Sequence, residues 1–276
     1  MKKIVLRYPG FRSKALTFSY DDGVIHDRRF VKILNDHGLK GTFNINAGMF
    51  CDKRYVEHMP AEEAIELYTS GGHEVAAHGY KHLSLTEVTP EQAYEDIITD
   101  RIALEKLLGI PVRGMAYASG YWNDEVVEII RSCGLEYART TRATFDFSIP
   151  KDWLQLMPTC YHFETDIMEM AKKFLALPGG KNYADDPHLF YLWGHSYEFD
   201  HGDGWNMIER FTDLVSDREE IWYATNIQVY DYVKAYENLK FAADQSFVYN
   251  PNLQDVYVNC DGREIRIPSD KVVSLQ

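Results

Sequence analysis

The order of elements along this chain predicts an α/β barrel, with parallel strands inside and helices outside. Three observations lead there. Short apolar runs alternate with segments of helical period through most of the 276 residues. About six or seven such β-then-α units follow one another, too many for a casual α+β arrangement. Several apolar runs also end in polar, chemically capable residues, as strands do at a barrel mouth.

The elements follow in order. Residues 15–20 (Ala-Leu-Thr-Phe-Ser-Tyr) read as a buried strand ending at Asp21-Asp22-Gly23. Phe30, Ile33, Leu34 and His37 then recur at i, i+3, i+4 and i+7, one face of a helix that Gly38 stops. Residues 41–47 form a second strand. Pro60 opens a helix with Glu62 and Glu63 in its first turn, and Gly71-Gly72 closes it. Residues 73–77 are a third strand, ending near His78. Pro90 starts a long helix. A strand over 112–118, a helix over 123–133 and a short strand over 137–140 come next. The spacing then predicts a helix over 163–176, a strand over 188–195, a helix over 204–216, a strand over 221–224 and a helix over 226–242. The tail changes character: β-type runs flank Asp261-Gly262 and read as a hairpin. The expected division is a barrel over residues 1–244 and a β-hairpin appendage over 245–276.

Composition narrows the function. Hydrophobic residues make up 45% and charged residues 26%, ordinary for a soluble globular protein. The net charge of −13 argues against a nucleic-acid or anionic-membrane partner. The apolar run after Met1-Lys2-Lys3 is too short for a secretory leader, and no stretch suits a membrane span. Cys51, Cys133, Cys160 and Cys260 lie far apart with no C-x-x-C pair, so reduced thiols in a cytoplasmic protein are the simplest expectation.

Three strand ends carry groups suited to catalysis. They are Asp21-Asp22-Gly23, His78-Gly79-Tyr80-Lys81-His82 and Trp193-Gly194-His195-Ser196. Two histidines four apart on one helical turn can share a metal ion. Two His and one carboxylate leave positions open for water and substrate, the pattern of a catalytic metal. Neighbouring strand residues point apart, so one of the paired aspartates is expected to bind metal and the other to stay free as a base. Taken singly, each motif has a plainer reading: a surface histidine pair, an ordinary turn, a core histidine. Their conjunction at strand ends carries the argument.

These residues resemble the polysaccharide deacetylases, carbohydrate esterase family four with the nodulation-type deacetylase domain. Residues 17–23 (Thr-Phe-Ser-Tyr-Asp-Asp-Gly) resemble the family's first motif, and residues 72–82 its second, with Gly79 where Ser or Thr usually stands. The resemblance covers roughly residues 14–225. It implies a distorted (β/α)7-type barrel and an acyl hydrolase, with Asp21 as general base, Asp22, His78 and His82 as metal ligands, and His195 as general acid. Residues 113–120 resemble the third motif, which implies that the Ser119 N–H helps bind the oxyanion. That motif usually carries an Arg where Ala116 stands, and Arg113 is the candidate replacement. Asp152-Trp153 resembles the fourth motif, which implies that Trp153 lines the pocket. Glu74 is a candidate acceptor behind the ligand histidines.

The implied substrate is an N-acetylated carbohydrate or a related small molecule. The alternatives are a small non-sugar amide and a non-catalytic carbohydrate-binding relative. Zinc suits the ligand set best, and cobalt, nickel, manganese or iron suit it too. Among the other polar residues, Glu198, Asp200 and His201 are expected to cover the barrel rim, and His162 and His188 to be structural. One or two of Trp122, Trp153, Trp193 and Trp205 are expected to stack on a sugar ring.

Overall fold

A computed structural model describes residues 2–178 and 187–276. Its elements are β1 (Ile4–Arg7), β2 (Lys14–Asp21), α1 (Asp27–Asp36), β3 (Gly41–Ile45), α2 (Ala61–Ser70), β4 (Glu74–Ala77), α3 (Pro90–Leu108), β5 (Gly114–Ala116), α4 (Asp124–Ser132), β6 (Tyr137–Arg139), β7 (Cys160–Tyr161), α5 (Ile167–Ala176), β8 (His188–Gly194), α6 (Gly204–Val215), β9 (Ile221–Tyr223), α7 (Asn226–Glu237), β10 (Lys240–Phe241), β11 (Phe247–Asn250), β12 (Val256–Cys260), β13 (Arg263–Ile267) and β14 (Lys271–Ser274).

Eight parallel strands pair in the order β6-β5-β4-β3-β2-β8-β7, with β9 also on β2. The sheet curls round, and the segment before β7 joins its two ends. Leu156 bridges Arg139 of β6, while the Thr159 N–H donates to the Tyr191 carbonyl of β8. The result is a distorted (β/α)7-type barrel, as the motifs implied.

Alternation along the strands separates two environments. On β2, Leu16, Phe18 and Tyr20 face outward into the main core with Phe30 of α1 and Phe211 of α6. Thr17, Ser19 and Asp21 face inward. There Thr17 donates to Asn226 at 2.9 Å, and Asn44 donates to Ser19 at 2.9 Å. The barrel interior is therefore polar and hydrogen-bonded. Such a lining costs little only because its groups find partners.

Element ends follow local chemistry. Thr89 and Gln92 form a capping box at the start of α3, and Gly109 ends it in the left-handed region at φ 69°. Helix α5 starts at Ile167, later than the spacing predicts, because the Asp166 carboxylate accepts the Met168 and Glu169 N–H groups. Helix α7 stops at Glu237 because the chain turns into β10, which pairs with β11.

The tail hairpin around Asp261-Gly262 is present as β12 and β13, but it is not alone. The N-terminal run Ile4–Arg7 pairs antiparallel with β12, and β10, β11 and β14 form a second three-stranded sheet. Among the described residues, no helix is long and apolar enough to cross a membrane.

Candidate metal centre and catalytic site

The mouth is built by backbone turns at the ends of β2 and β4. Asp21 is the last residue of β2 and faces inward, almost fully buried. Asp22 by alternation would point away. Its φ of 82° places it in the left-handed region, which costs a non-glycine residue roughly 1–2 kcal/mol. The turn lets both carboxylates serve one site. Glycine follows at position 23, where φ is 70° and a Cβ would lie 2.9 Å from Ile45 Cδ1.

His78 and His82 lie on a loop after β4, not on a helical turn. Gly79 and His82 take φ values of 79° and 54°, and these bends bring the rings edge to face at 4.9 Å. His78 Nε2 and His82 Nε2 lie 3.7 and 3.8 Å from Asp22 Oδ1. The three donor atoms all fall within 4.8 Å of one another. Ligands about 2.0–2.2 Å from one tetrahedral zinc stand roughly 3.3–3.6 Å apart, close to the two separations from Asp22 Oδ1. The His78 Nδ1 lies 3.0 Å from the Ala116 carbonyl, which leaves Nε2 free to face the ion. This donor set fits a divalent cation.

The loop is fastened by two carboxylates of α3. Asp100 accepts the His78 N–H at 2.9 Å and the Ala47 N–H at 2.7 Å, and Asp96 accepts the Lys81 N–H at 2.8 Å. Glu74, the expected support, is elsewhere. It opens β4 at the opposite end of the barrel, where it accepts from Thr42, Tyr137 and the Ile227 N–H.

Arg139 is the residue that sequence reasoning missed. It ends β6, is fully buried, and its Nη2 donates to both oxygens of Asp21 at 2.5 Å. Its guanidinium lies 4.5 Å from the centre of the Trp193 ring. Burial by itself would raise the Asp21 pKa, but Arg139, with His78 and His195, outweighs it and holds the carboxyl at about 2. Asp21 also accepts from Asn44 at 2.8 Å. A signal did exist: Arg139 is a polar residue at a strand's carboxyl end, like the three groups the sequence singles out.

His195 follows β8, with its Nε2 3.9 Å from Asp21 Oδ2. Burial lowers its pKa, yet the Glu198 hydrogen bond and the Asp21 and Asp22 charges raise it to about 9. Glu198 therefore stands behind His195, and the rim assignment holds for Asp200 but not for it. Asp200 is exposed and pairs with His26 and Trp205.

Other expectations need correction. Arg113 precedes β5, at the amino end, and makes ion pairs with Glu136 and Asp231 at 2.6 Å. It does not reach the mouth. Trp153 is buried with Leu6, Ala15, Tyr137 and Tyr232, edge-on to Tyr230, near the amino ends of the strands. It is a core residue with no free face for a sugar. Asp152 caps the Leu154 N–H on the surface. Trp193 covers Arg139, and Trp205 packs on Phe199 beneath Arg29. Ser119 stands exposed beyond β5 with φ 59°.

One prediction follows from Trp153. Its indole N–H has no partner, so Trp153→Phe removes packing but no hydrogen bond. Thermal unfolding is expected to drop by a few degrees while turnover stays within twofold. A kcat loss above tenfold would return Trp153 to the pocket.

Comparisons with known proteins now bear on this geometry. The polysaccharide deacetylase family model matches residues 9–138. A chitooligosaccharide deacetylase from Bradyrhizobium sp. (strain ANU 289) is 27% identical over 147 residues, 52% of this chain and 60% of the relative. The chain thus spans less than two thirds of that relative's length. Among solved structures, a Mycobacterium smegmatis protein assigned to the polysaccharide deacetylases superposes with TM-score 0.61 at 18% identity, covering 84% of this chain and 94% of the other. Peptidoglycan deacetylase PdaC from Bacillus subtilis gives TM-score 0.54 at 16% identity, covering 83% and 95%. Both likenesses concern the fold.

Proposed function

We propose that this protein, whose residues 9–138 match the polysaccharide deacetylase family model, is a divalent-metal-dependent hydrolase that removes an N-acetyl group from a carbohydrate. One observation carries the reading: the Asp22, His78 and His82 donor atoms converge beside an Arg139-bound Asp21 that His195 faces across 3.9 Å. A pure sugar-binding relative has no use for a buried carboxylate and an imidazole placed on either side of a reacting centre.

A divalent cation at the three ligands would polarise the acyl carbonyl and bring water's pKa from 15.7 towards about 7. The chain's own residues do the rest. Asp21, kept ionised by Arg139, accepts the proton that water loses as its oxygen bonds to the acyl carbon. The C–N bond then breaks, with its electron pair staying on nitrogen. His195 is protonated at neutral pH, and its Nε2 delivers the proton that nitrogen needs in order to leave as an amine. The Ser119 N–H beyond β5 is assigned to the developing oxyanion.

The test combines metal analysis with acetate release from N-acetylated chito-oligosaccharides. About one equivalent of zinc or a related metal is expected in the purified protein, with turnover lost on chelation and regained on adding the metal back. His82→Ala is expected to lower the bound metal at least tenfold in affinity, since a ligand is removed outright. Acetate release that survives complete chelation, or full metal retention in His82→Ala, would sink the assignment. Turnover of small amides but not of the oligosaccharides would move the substrate class and keep the chemistry.

A further inference from the structure

Behind the proposed acid stands a group of side chains with no part in the scheme above. Glu198 Oε2 lies 3.1 Å from His195 Nδ1, 3.1 Å from the His195 N–H and 3.3 Å from His162 Nε2. The Tyr161 hydroxyl adds a further bond to it. The other nitrogen of His162 faces the Tyr20 hydroxyl at 3.2 Å, and both of those residues are fully buried. A line of polar contacts thus runs Tyr20, His162, Glu198, His195, ending against Asp21.

The plainest account of Glu198 is a cap. It sits three residues into the single turn Ser196–Asp200 and accepts the N–H of the residue before it. Capping explains one of its contacts. It does not explain why the same oxygen meets two imidazoles, nor why the fold makes room for the second. Gly194 shows that the room is specific: a Cβ there would lie 2.0 Å from His162 Nδ1. No side chain is tolerated where the His162 ring passes under the strand end.

We propose that Glu198, braced by His162 and Tyr161, is a positioning residue for proton delivery: it takes the Nδ1–H of His195 and so points a protonated Nε2 at the leaving group. The inference rests on the deacetylase reading above. Its chemistry is that of any oriented imidazole. The partner on one ring nitrogen decides what the other can do, and a carboxylate partner stabilises the imidazolium form. Burial works against Glu198 ionising, but the two histidines and Tyr161 outweigh it and hold its pKa well below the ordinary carboxylate range. An anion is therefore available to hold the cation.

An oriented acid matters only when the leaving group needs a proton. An amine must be protonated to leave, whereas a nitrophenolate departs as the anion. Glu198→Gln is therefore expected to lower kcat on an N-acetylated chito-oligosaccharide about 100-fold, in the range that loss of acid catalysis produces. It should lower hydrolysis of 4-nitrophenyl acetate at least tenfold less. His162→Gln should show the same imbalance, smaller in size. A second readout needs no turnover. In metal-free protein labelled with ¹⁵N-histidine, the wild type should show a downfield Nδ1–H proton resonance that disappears in His195→Ala and moves upfield or vanishes in Glu198→Gln.

Equal losses on amide and ester in Glu198→Gln, with the wild type active on both, would overturn the positioning role alone. So would a His195 resonance that Glu198→Gln leaves unmoved. A wild-type protein that binds zinc yet releases no acetate from either substrate would sink the deacetylase reading first, and this role with it.

Discussion

Asp21→Asn is expected to reduce acetate release by about 10²–10⁴-fold, the usual worth of a positioned general base. The change keeps the shape of the side chain and removes its ability to take a proton. Asp22, His78 and His82 keep their donor atoms, so metal content should stay at the wild-type level. The two measurements together separate a base from a ligand. Fast turnover in Asp21→Asn would end the base assignment, and a parallel loss of metal would mean that Asp21 belongs to the ligand set. The effect should fall on kcat with KM little changed, because water activation occurs after substrate has bound.

Arg139→Met should have the second largest effect, and on two scales. Asp21 and Arg139 are both buried, and their pairing is what makes an ionised Asp21 tolerable there. Removing one partner of a buried pair typically costs about 3–5 kcal/mol, because the remaining charge is stranded. Denaturant unfolding should register that loss, and turnover should fall with it as Asp21 protonates. Combining Arg139→Met with Asp21→Asn should recover part of the stability but none of the activity, since no stranded charge remains. Independent, additive losses would show that the two side chains do not act as a pair.

The same pair sets an acid-side pH dependence in the metal-free protein. Asp21 sits at about 2 in the folded state and near 3.9 when unfolded. A depressed folded pKa means stabilisation that is complete above about pH 4 and is lost as pH falls from there towards 2. In Arg139→Met the stranded carboxyl should titrate above its unfolded value, so stability should then decline as pH rises. Urea midpoints measured on chelated protein across that range would give slopes of opposite sign.

The sequence was informative where function needs a residue type at a strand's end. Asp21, Asp22, His78, His82 and His195 all stand there, and all are drawn to one mouth. Arg113 and Trp153 resemble motif residues, but Arg113 stands at the wrong end of its strand and Trp153 lies in the segment between β6 and β7, packed into the core. Arg113 precedes β5, so it emerges at the floor of the barrel, where Glu136 and Asp231 hold it. Glu74 differs for the same reason: it opens β4, while the histidines lie on the loop that follows it. Strand polarity contains that information for Arg113 and Glu74.

Arg139 and Glu198 are another matter. Arg139 is 118 positions from the carboxylate it binds, and a lone arginine at the end of a short strand carries no sign of its partner. Glu198 lies near His195 in sequence, but its contact with His162 depends on β7 and β8 lying side by side. By itself the chain determined the β-then-α rhythm, the inward and outward faces, and the kinds of group offered to the mouth, since these depend on local period and residue chemistry. Only the curled sheet decided which charges neutralise each other. Burial makes an unpaired charge prohibitive, and the identity of its partner is set by which distant strand end the sheet brings alongside.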